Sequence, residues 1–570
     1  MHGSALGRIS TNLYGDVQNM CIRIPKNPIE GHNVNGWTRI SKPSLSRHCF
    51  KGWMVQVCVL ALVYFPATVF SQVPAFPGAE GSGALAKGGR GGVICEVTNL
   101  NDSGPGSLRA CAEEMSGPRT VIFRVSGNIV LQDRIYIRNP YITIAGQTAP
   151  GGGIQLSAKD PGTLPYDMSG PNAANDSGAM IDIRTHEVII RYLRIRPGFT
   201  GPKAGTSSGQ LTGIRLNTIG GNSIYNVMLD HLSIMWWSGN SISLWDNPMS
   251  GPAIRFRNIS IQNSLMAEAL YERFNLLIGS SHREDTPNAG GNMGDIDLHK
   301  NFLSTAHARF PLIGSFDGRA RLVNNIFYNS YGLLTQVRGY EHPQGPPYVD
   351  IIGNWYDVGP VQPKSGSRGL YPVAISRQDD YPPQVYLDGN WSNVHGYDNY
   401  NMATWGSRTS SSQRENNPAP DDYRRNAPNP SPPIPIKLVH VDDLAQSVLP
   451  YVGASRRLDC EGNWLLNRDA ADTRVIEEGY KKRAQTFFVK HEDEVGGFPV
   501  LERGEPCADS SGDGIPDAWM IRNDLNPNEA VGRLLHESGY TYLELYMNGM
   551  QVNAHPQIAP AAAPGGVTVQ

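Results

Sequence analysis

Between Val188 and Ser392 a short pattern of alternating apolar and polar positions returns seven times. It opens as Val188-Ile-Ile-Arg-Tyr-Leu-Arg-Ile195 and Val227-Met-Leu-Asp-His-Leu-Ser-Ile234, and closes as Val385-Tyr-Leu-Asp-Gly-Asn-Trp-Ser392. The copies start at positions 188, 227, 259, 296, 320, 349 and 385. Each reads as an alternating strand, two or three polar or small residues, and a second short strand. Repetition at such a period marks a solenoid. The pattern predicts an all-β fold, a right-handed single-stranded parallel β-helix, followed by a small and mainly helical C-terminal extension. The sixth position is Asn301, Asn325, Asn354 and Asn390 in four consecutive copies. Stacked coils would place these amides in a ladder, in turns where asparagine also tolerates left-handed backbone. Unequal spacing between copies predicts turns of varying length that build one elaborated, binding face.

Composition refines this picture. Gly 62 and Pro 42 suit a turn-rich β protein, and a net charge of −3 excludes a strongly basic nucleic-acid binder. The apolar run Val57–Phe65 follows Arg47, His48 and Lys51, is too short to span a bilayer, and suits a signal-peptide core. Secretion is therefore expected, with no membrane association after cleavage and a monomeric mature chain beginning near Gln72. The predicted organisation is an N-terminal extension (1–52), a signal peptide (53–71) and the coil domain (72–402). A Pro/Ser/Asn-rich linker or strap (403–438), a helical segment (439–506), an acidic loop with its helix (507–552) and a disordered tail (553–570) follow. Four cysteines lie past the leader, Cys95, Cys111, Cys460 and Cys507. They allow three disulfide pairings, of which 95–111 with 460–507 is the most local; free thiols are the alternative. Asp509, Ser511, Asp513 and Asp517 hold positions 1, 3, 5 and 9 of a loop with Gly514 at 6, the spacing of a structural calcium loop. Serine at the third position and the lack of a glutamate at the twelfth weaken it; an acidic turn capping the helix at Trp519 is the other reading.

Three phrases near the start of the coil domain are long enough to be specific: Val97–Arg109, Thr120–Gly127 and Ile144–Gly151. They resemble the opening of secreted pectate lyases of the pectate lyase C group, in the first polysaccharide lyase family. Asp230-His231 and Arg309-Phe-Pro311 resemble further phrases of that family, and the similarity spans roughly Phe76 to Ser392. The resemblance implies β-elimination on pectate or a related acidic polysaccharide, with Ca2+ bridging substrate carboxylates and acidic side chains. It also implies an arginine that takes the proton from C5 of the sugar. Arg309 is the candidate base, in a role that needs a desolvated, positive setting because guanidinium rarely releases its proton; alkaline activity is the expectation.

Two departures qualify the resemblance. The basic residue usual after the proline is replaced by Leu312, Ile313 and Gly314, and the acidic pair that helps hold calcium is replaced by Gly239 and Asn240. Glu268, Asp230 and Asp246 remain as candidate calcium ligands, although Asp230 also suits a turn anchor. Arg273, Lys300 and His307 are candidate contacts to an anionic sugar. Trp236 and Trp237 are adjacent, so in a strand one ring would face outward; Trp237 is the candidate to stack on a sugar. The expected function is a secreted polysaccharide lyase. A β-helix that binds acidic glycans without catalysis is the alternative, and a glycoside hydrolase would need a carboxylate pair that the strands do not offer.

Overall fold

A computed structural model describes residues 73–158, 178–199, 210–218, 222–246, 256–280, 293–314, 318–330, 334–338, 346–361, 371–376, 382–406, 417–418 and 421–552. The N-terminal extension, the signal peptide, about a third of the linker and the tail lie outside the described residues. Among the described residues three sheets build the coils, with ten, nine and ten strands, and a separate two-stranded sheet stands in the C-terminal segment. Each repeat contributes its first strand to the first sheet and its second to the second sheet: Val188–Arg191 is followed by Arg194–Ile195, and Ile224–Asp230 by Ser233–Met235. A further strand per coil, such as Leu211–Asn217 or Ile242–Asp246, builds the third sheet. Strands of successive coils pair in parallel, Val227 against Val188 and Ile259 against Val227. This is a parallel β-helix, filled by the inward residues Ile190, Leu229, Ile261, Leu298, Leu322 and Ile351 in one continuous core.

The turn between the first and second sheets explains the repeat's polar centre. Asn301 Nδ2 donates to Asn325 Oδ1 at 3.0 Å, Asn325 to Asn354 at 3.0 Å, and Asn354 to Asn390 at 3.0 Å. Each amide also donates to a main-chain carbonyl of the preceding coil, as Asn354 does to Leu322 at 2.8 Å. The ladder satisfies buried polar groups that would otherwise cost about 1–3 kcal/mol each. The left-handed residue is the one before it: Tyr192, His231, Asn263, Lys300 and Asn324 have φ between 50° and 56°, and Gly353 and Gly389 stand at 61°.

The N-terminal end is closed by helical turns over Ala110–Glu114, stapled to strand Val93–Val97 by the Cys95–Cys111 disulfide. The buried Arg119 donates to the carbonyls of Cys111 and Ala112 there. At the C-terminal end, where the sequence predicts helices over Asp442–Val452 and Asp469–Phe488, the chain forms only short helical turns. They are Leu444–Ser447, Ala470–Arg474 and Val475–Lys481. Their apolar residues Leu444, Val448, Val475 and Ile476 cover Trp236, Phe302 and Tyr328 on the second sheet. Trp519, Met520 and Leu543–Met547 cover Ile122 and Ala145 of the first, beside the Cys460–Cys507 disulfide.

Candidate functional site

The third sheet and the turn that leads into it bring together three arginines. Arg309 follows strand Phe302–Ala306 and sits in left-handed backbone, φ 67°. For a residue with a side chain that conformation is costly, and it persists only where neighbours impose it. Here the amide of Phe310 donates to the carbonyl of Leu334 at 2.7 Å, while the carbonyl of Arg309 accepts from Leu276 at 2.8 Å. The Arg309 guanidinium lies on the Phe274 ring, 3.8 Å from its centroid. Among the described residues no carboxylate pairs with it. Burial, and after it the positive charge of Arg338, lower its pKa from the usual 12.5 to about 10. Arg273 immediately precedes Phe274; its carbonyl accepts from the His307 amide at 2.9 Å, and burial lowers its pKa too. The His307 ring meets Phe274 edge-on at 5.8 Å. Arg309 and His307 thus meet one aromatic ring, and the main chain of Arg273 ties His307 to the residue that carries it.

The other expected members of the site lie elsewhere. Trp237 is fully buried in the coil core, its Nε1 donating to the carbonyl of Phe274 at 2.6 Å, so it cannot stack on a sugar. The reason is local: Trp236 has φ 60°, which breaks strand alternation and turns both rings inward, Trp236 under the C-terminal segment and Trp237 into the coil. Lys300 stands at the turn after Met293–His299 on the first sheet, where its Nζ donates to Glu80 at 2.6 Å. It binds the N-terminal segment and is no sugar contact.

The calcium ligands expected at this face do not gather. Asp230 ends a first-sheet strand, Glu268 follows a second-sheet strand and Asp246 ends a third-sheet strand; the side chain of Asp246 lies outside the described residues. Glu268 is 1% exposed and accepts Arg474 Nη1 and Nη2, each at 2.7 Å, and Trp236 Nε1 at 3.0 Å. Asp230, 0% exposed, accepts Arg191 Nε and Gln262 Nε2, both at 2.8 Å. Burial alone would raise its carboxyl, but His231 and Arg191 hold it below the usual carboxylate range. Both carboxylates are already neutralised inside the protein, which corrects the reading of them as metal ligands. At the substituted pair, a Cβ on Gly239 would meet Thr212 Oγ1 at 2.7 Å, and Asn240 offers one neutral oxygen, Oδ1, buried without a donor among the described residues. Calcium needs six to eight oxygens, several of them charged. The described donors at this face do not fit it.

The acidic loop near the C-terminus folds on itself. Asp509 accepts the amides of Gly512 at 2.9 Å and Gly514 at 2.8 Å, and its Oδ1 also accepts Ser511 Oγ at 3.2 Å. Asp513 accepts the amides of Val531 and Gly532 at 2.6 and 2.7 Å, and Asp517 accepts the amide and hydroxyl of Ser510. Its carboxylates accept backbone amides, the bonding of an acidic turn. Among the described residues the one trio of clustered ligating side chains is His491, Glu492 and Asp493, at the start of a helical turn away from Arg309.

Two side chains near Arg309 escape sequence reasoning. Arg338 ends strand Thr335–Arg338, in register with Gly314; Trp245 stands two strands away in the same row. No repeat phrase covers third-sheet strands, so only the pairing register reveals them.

A parallel β-helix presenting clustered arginines along one sheet defines a protein suited to an extended, anionic ligand. No family model matches the sequence. Curated relatives do: the probable pectate lyase C of Aspergillus fumigatus is 31% identical over 499 residues, spanning 86% of this chain and 97% of its own. That of Aspergillus terreus is 31% identical over 487 residues, 84% of this chain and 94% of its own. Among solved structures, the major cedar pollen allergen aligns with a TM-score of 0.42 at 16% identity, over 66% of this chain and 92% of that one. Pectate lyase II of Xanthomonas campestris aligns with a TM-score of 0.40 at 14% identity, over 66% and 98%. The chain belongs to the pectate lyase C family.

Proposed function

We propose that the chain is a secreted polysaccharide lyase that cleaves pectate by β-elimination, with Arg309 as the base. Membership of the pectate lyase C family carries the reaction class; the Arg309 environment carries the assignment of the base. The C5 proton of a galacturonate unit sits beside a carboxylate and is poorly acidic. Abstracting it places enolate-like charge on that carboxylate, which fixed positive groups stabilise. A guanidine accepts the proton only when neutral, and burial together with Arg338 favours the neutral form of Arg309. The electron pair of the broken C5–H bond forms the C4–C5 double bond as the C4–O bond to the next sugar breaks, and the departing oxygen keeps that bond's electron pair and takes a proton from water. Arg273 and Arg338 are the cations at hand for the substrate carboxylate. No helix among the described residues is long and apolar enough to cross a membrane, and the leader-like run at Val57–Phe65 supports export.

Calcium would ordinarily stabilise such an enolate. Asp230 and Glu268 are bound up by Arg191 and Arg474, so on this reading protein cations carry that load. The test is ultraviolet detection of unsaturated product from de-esterified polygalacturonate, with calcium and with chelator. Product is expected in both, at rates within about two-fold. A loss of ten-fold or more under chelation, restored by calcium, would show that metal ligands come from elsewhere in the chain. Absence of product while the polymer still binds would make the chain a glycan-binding β-helix.

A further inference from the structure

Among the described residues the guanidinium of Arg309 makes no hydrogen bond and no ion pair, and the group that holds it is the ring of Phe274, 3.8 Å from its central carbon. A carboxylate in that place would tighten the hold of the guanidinium on its proton and occupy its nitrogens. An aromatic face attracts the guanidinium through its plane and leaves the nitrogens to the substrate.

Three successive coils fix that ring. Arg273–Leu276 runs beside His307–Arg309 of the next coil: the amide of His307 donates to the carbonyl of Arg273 at 2.9 Å, that of Asn275 to Ala308 at 3.0 Å and that of Leu276 to Arg309 at 2.8 Å. This pairing sets Phe274 beside Arg309, and the His307 ring meets the phenyl edge-on. From the preceding coil, the amide of Ser241 donates to the carbonyl of Asn275 at 2.7 Å, and its hydroxyl to Asn275 Oδ1 at 2.7 Å. Trp237 belongs to that same coil. Its indole is fully buried in the core, and its Nε1 donates to the carbonyl of Phe274 itself at 2.6 Å.

We propose that Phe274 is the positioning residue of the proton-abstracting arginine, and that Trp237 anchors it from the core through its indole N–H. The inference rests on the assignment of Arg309 as the base and adds to it what aims that base. The lone pair that takes up the proton lies in the guanidine plane, so the ring that fixes the plane also fixes the line of attack on C5–H. A misplacement of about 1 Å can cost about 10²-fold in rate. On charge the ring acts in two opposed ways. It keeps water from one face, which favours the neutral base, and its π-face attracts the cation. Leucine at 274 would keep the site apolar and remove the flat face, which separates aim from desolvation.

The test is steady-state cleavage of de-esterified polygalacturonate, followed through its unsaturated product between pH 7 and 10, in wild type, Phe274→Leu, Phe274→Tyr and Trp237→Phe. Phe274→Leu should lower kcat about fifty-fold and change KM by no more than about two-fold, because the ring touches the base and not the sugar. The rising limb of its pH profile should not move to higher pH, since leucine still excludes water and leaves Arg338 as it was. Phe274→Tyr restores the flat ring and should recover most of that loss. Trp237→Phe keeps the apolar bulk, drops the N–H and should lower kcat about five-fold at unchanged KM. Thermal unfolding midpoints matching wild type separate these effects from misfolding. A wild-type kcat in Phe274→Leu, with Arg309→Lys inactive, would overturn the positioning role and leave the base standing. Equal losses in Phe274→Leu and Phe274→Tyr, or a loss carried by KM, would overturn it too. A wild-type rate in Trp237→Phe would take Trp237 out of the arrangement. A wild-type rate in Arg309→Lys, or no unsaturated product from wild type, would remove the base reading and the role of Phe274 with it.

Discussion

Arg309→Lys abolishes turnover, by about a thousand-fold or more, while the protein stays folded. Lysine is ordinarily the weaker base of the two cations. If proton affinity alone limited the reaction, the substitution would help. What it removes is geometry. The guanidinium lies flat on Phe274 at 3.8 Å, from a backbone held in the left-handed region by hydrogen bonds to two other coils. An ammonium offers no planar face for that ring and cannot place its nitrogen where the guanidine nitrogens stand. Stability should change little, because no carboxylate among the described residues is left without a partner when Arg309 goes. Initial rates of unsaturated product, with circular dichroism as the check on folding, decide the matter; rates like wild type would take Arg309 out of the mechanism.

The same environment fixes the direction of the pH dependence. Arg309 works only when neutral, and its pKa is lowered from 12.5 to about 10, by burial first and Arg338 second. The neutral fraction, and with it kcat, should climb about ten-fold per pH unit up to about pH 10 and then level off. Arg338→Gln removes one of the two causes, so the rising limb should move to higher pH. A profile flat between pH 7 and 10 would show that some other group takes the proton.

How far the sequence could be read follows from where the repeat runs. The phrase that announces the β-helix contains the strands of the first and second sheets and the turn between them. That turn is two residues long in all seven copies, including the three in which the asparagine position is held by Leu193, Leu232 and Ser264. The stretch from the second sheet to the third varies from four residues, between Ser330 and Thr335, to twenty, between Ser157 and Gly178. Periodicity cannot survive that variation, so the sheet that carries Arg338 and Trp245 was invisible. Arg309 was legible because it stands in a fixed phrase before Pro311. Glu268 and Trp237 were misplaced for another reason. Both follow residues in ordinary strand register, but left-handed backbone at Trp236 and Glu268 redirects the chain, and alternation then predicts the wrong face. The partner of Glu268, Arg474, lies 206 residues away and enters through the C-terminal segment, which no local pattern ties to that coil.

That segment is held by charges more deeply buried than any at the site, and removing one should give the largest loss of stability. Arg196 is fully buried; its Nη1 donates to Asp469 at 2.7 Å and to Gln155 at 2.8 Å, and its Nη2 to Asp469 at 3.0 Å and Asp472 at 2.9 Å. Arg194 also pairs with Asp469, at 2.8 Å. Arg196→Met leaves Asp469 that one cation but strips Asp472 of its hydrogen-bonded cation, leaving it the hydroxyl of Ser233 and the more distant charge of Arg194. Burial, and then the charge of Asp469, already push the Asp472 carboxyl upward, and a buried carboxylate without its cation costs about 3–5 kcal/mol. The deficit should be greatest near neutral pH, where Asp472 would have to be charged. It should shrink as pH falls through the raised pKa and the group takes up a proton. Wild type behaves in the opposite sense at Asp469. Its carboxyl is held below the ordinary range, despite burial, by Arg196 and Arg194, so the stability it contributes is present above about pH 4 and lost as pH falls further. Urea denaturation of wild type, Arg196→Met and Arg196→Met with Asp472→Asn, at pH 5 and pH 8, separates these contributions. The double variant should recover most of the loss, since a neutral amide needs no cation. If Arg196→Met alone unfolds at the urea concentration of wild type at pH 8, the buried charges do not hold the C-terminal segment, and its apolar contacts with Trp236, Phe302 and Tyr328 suffice.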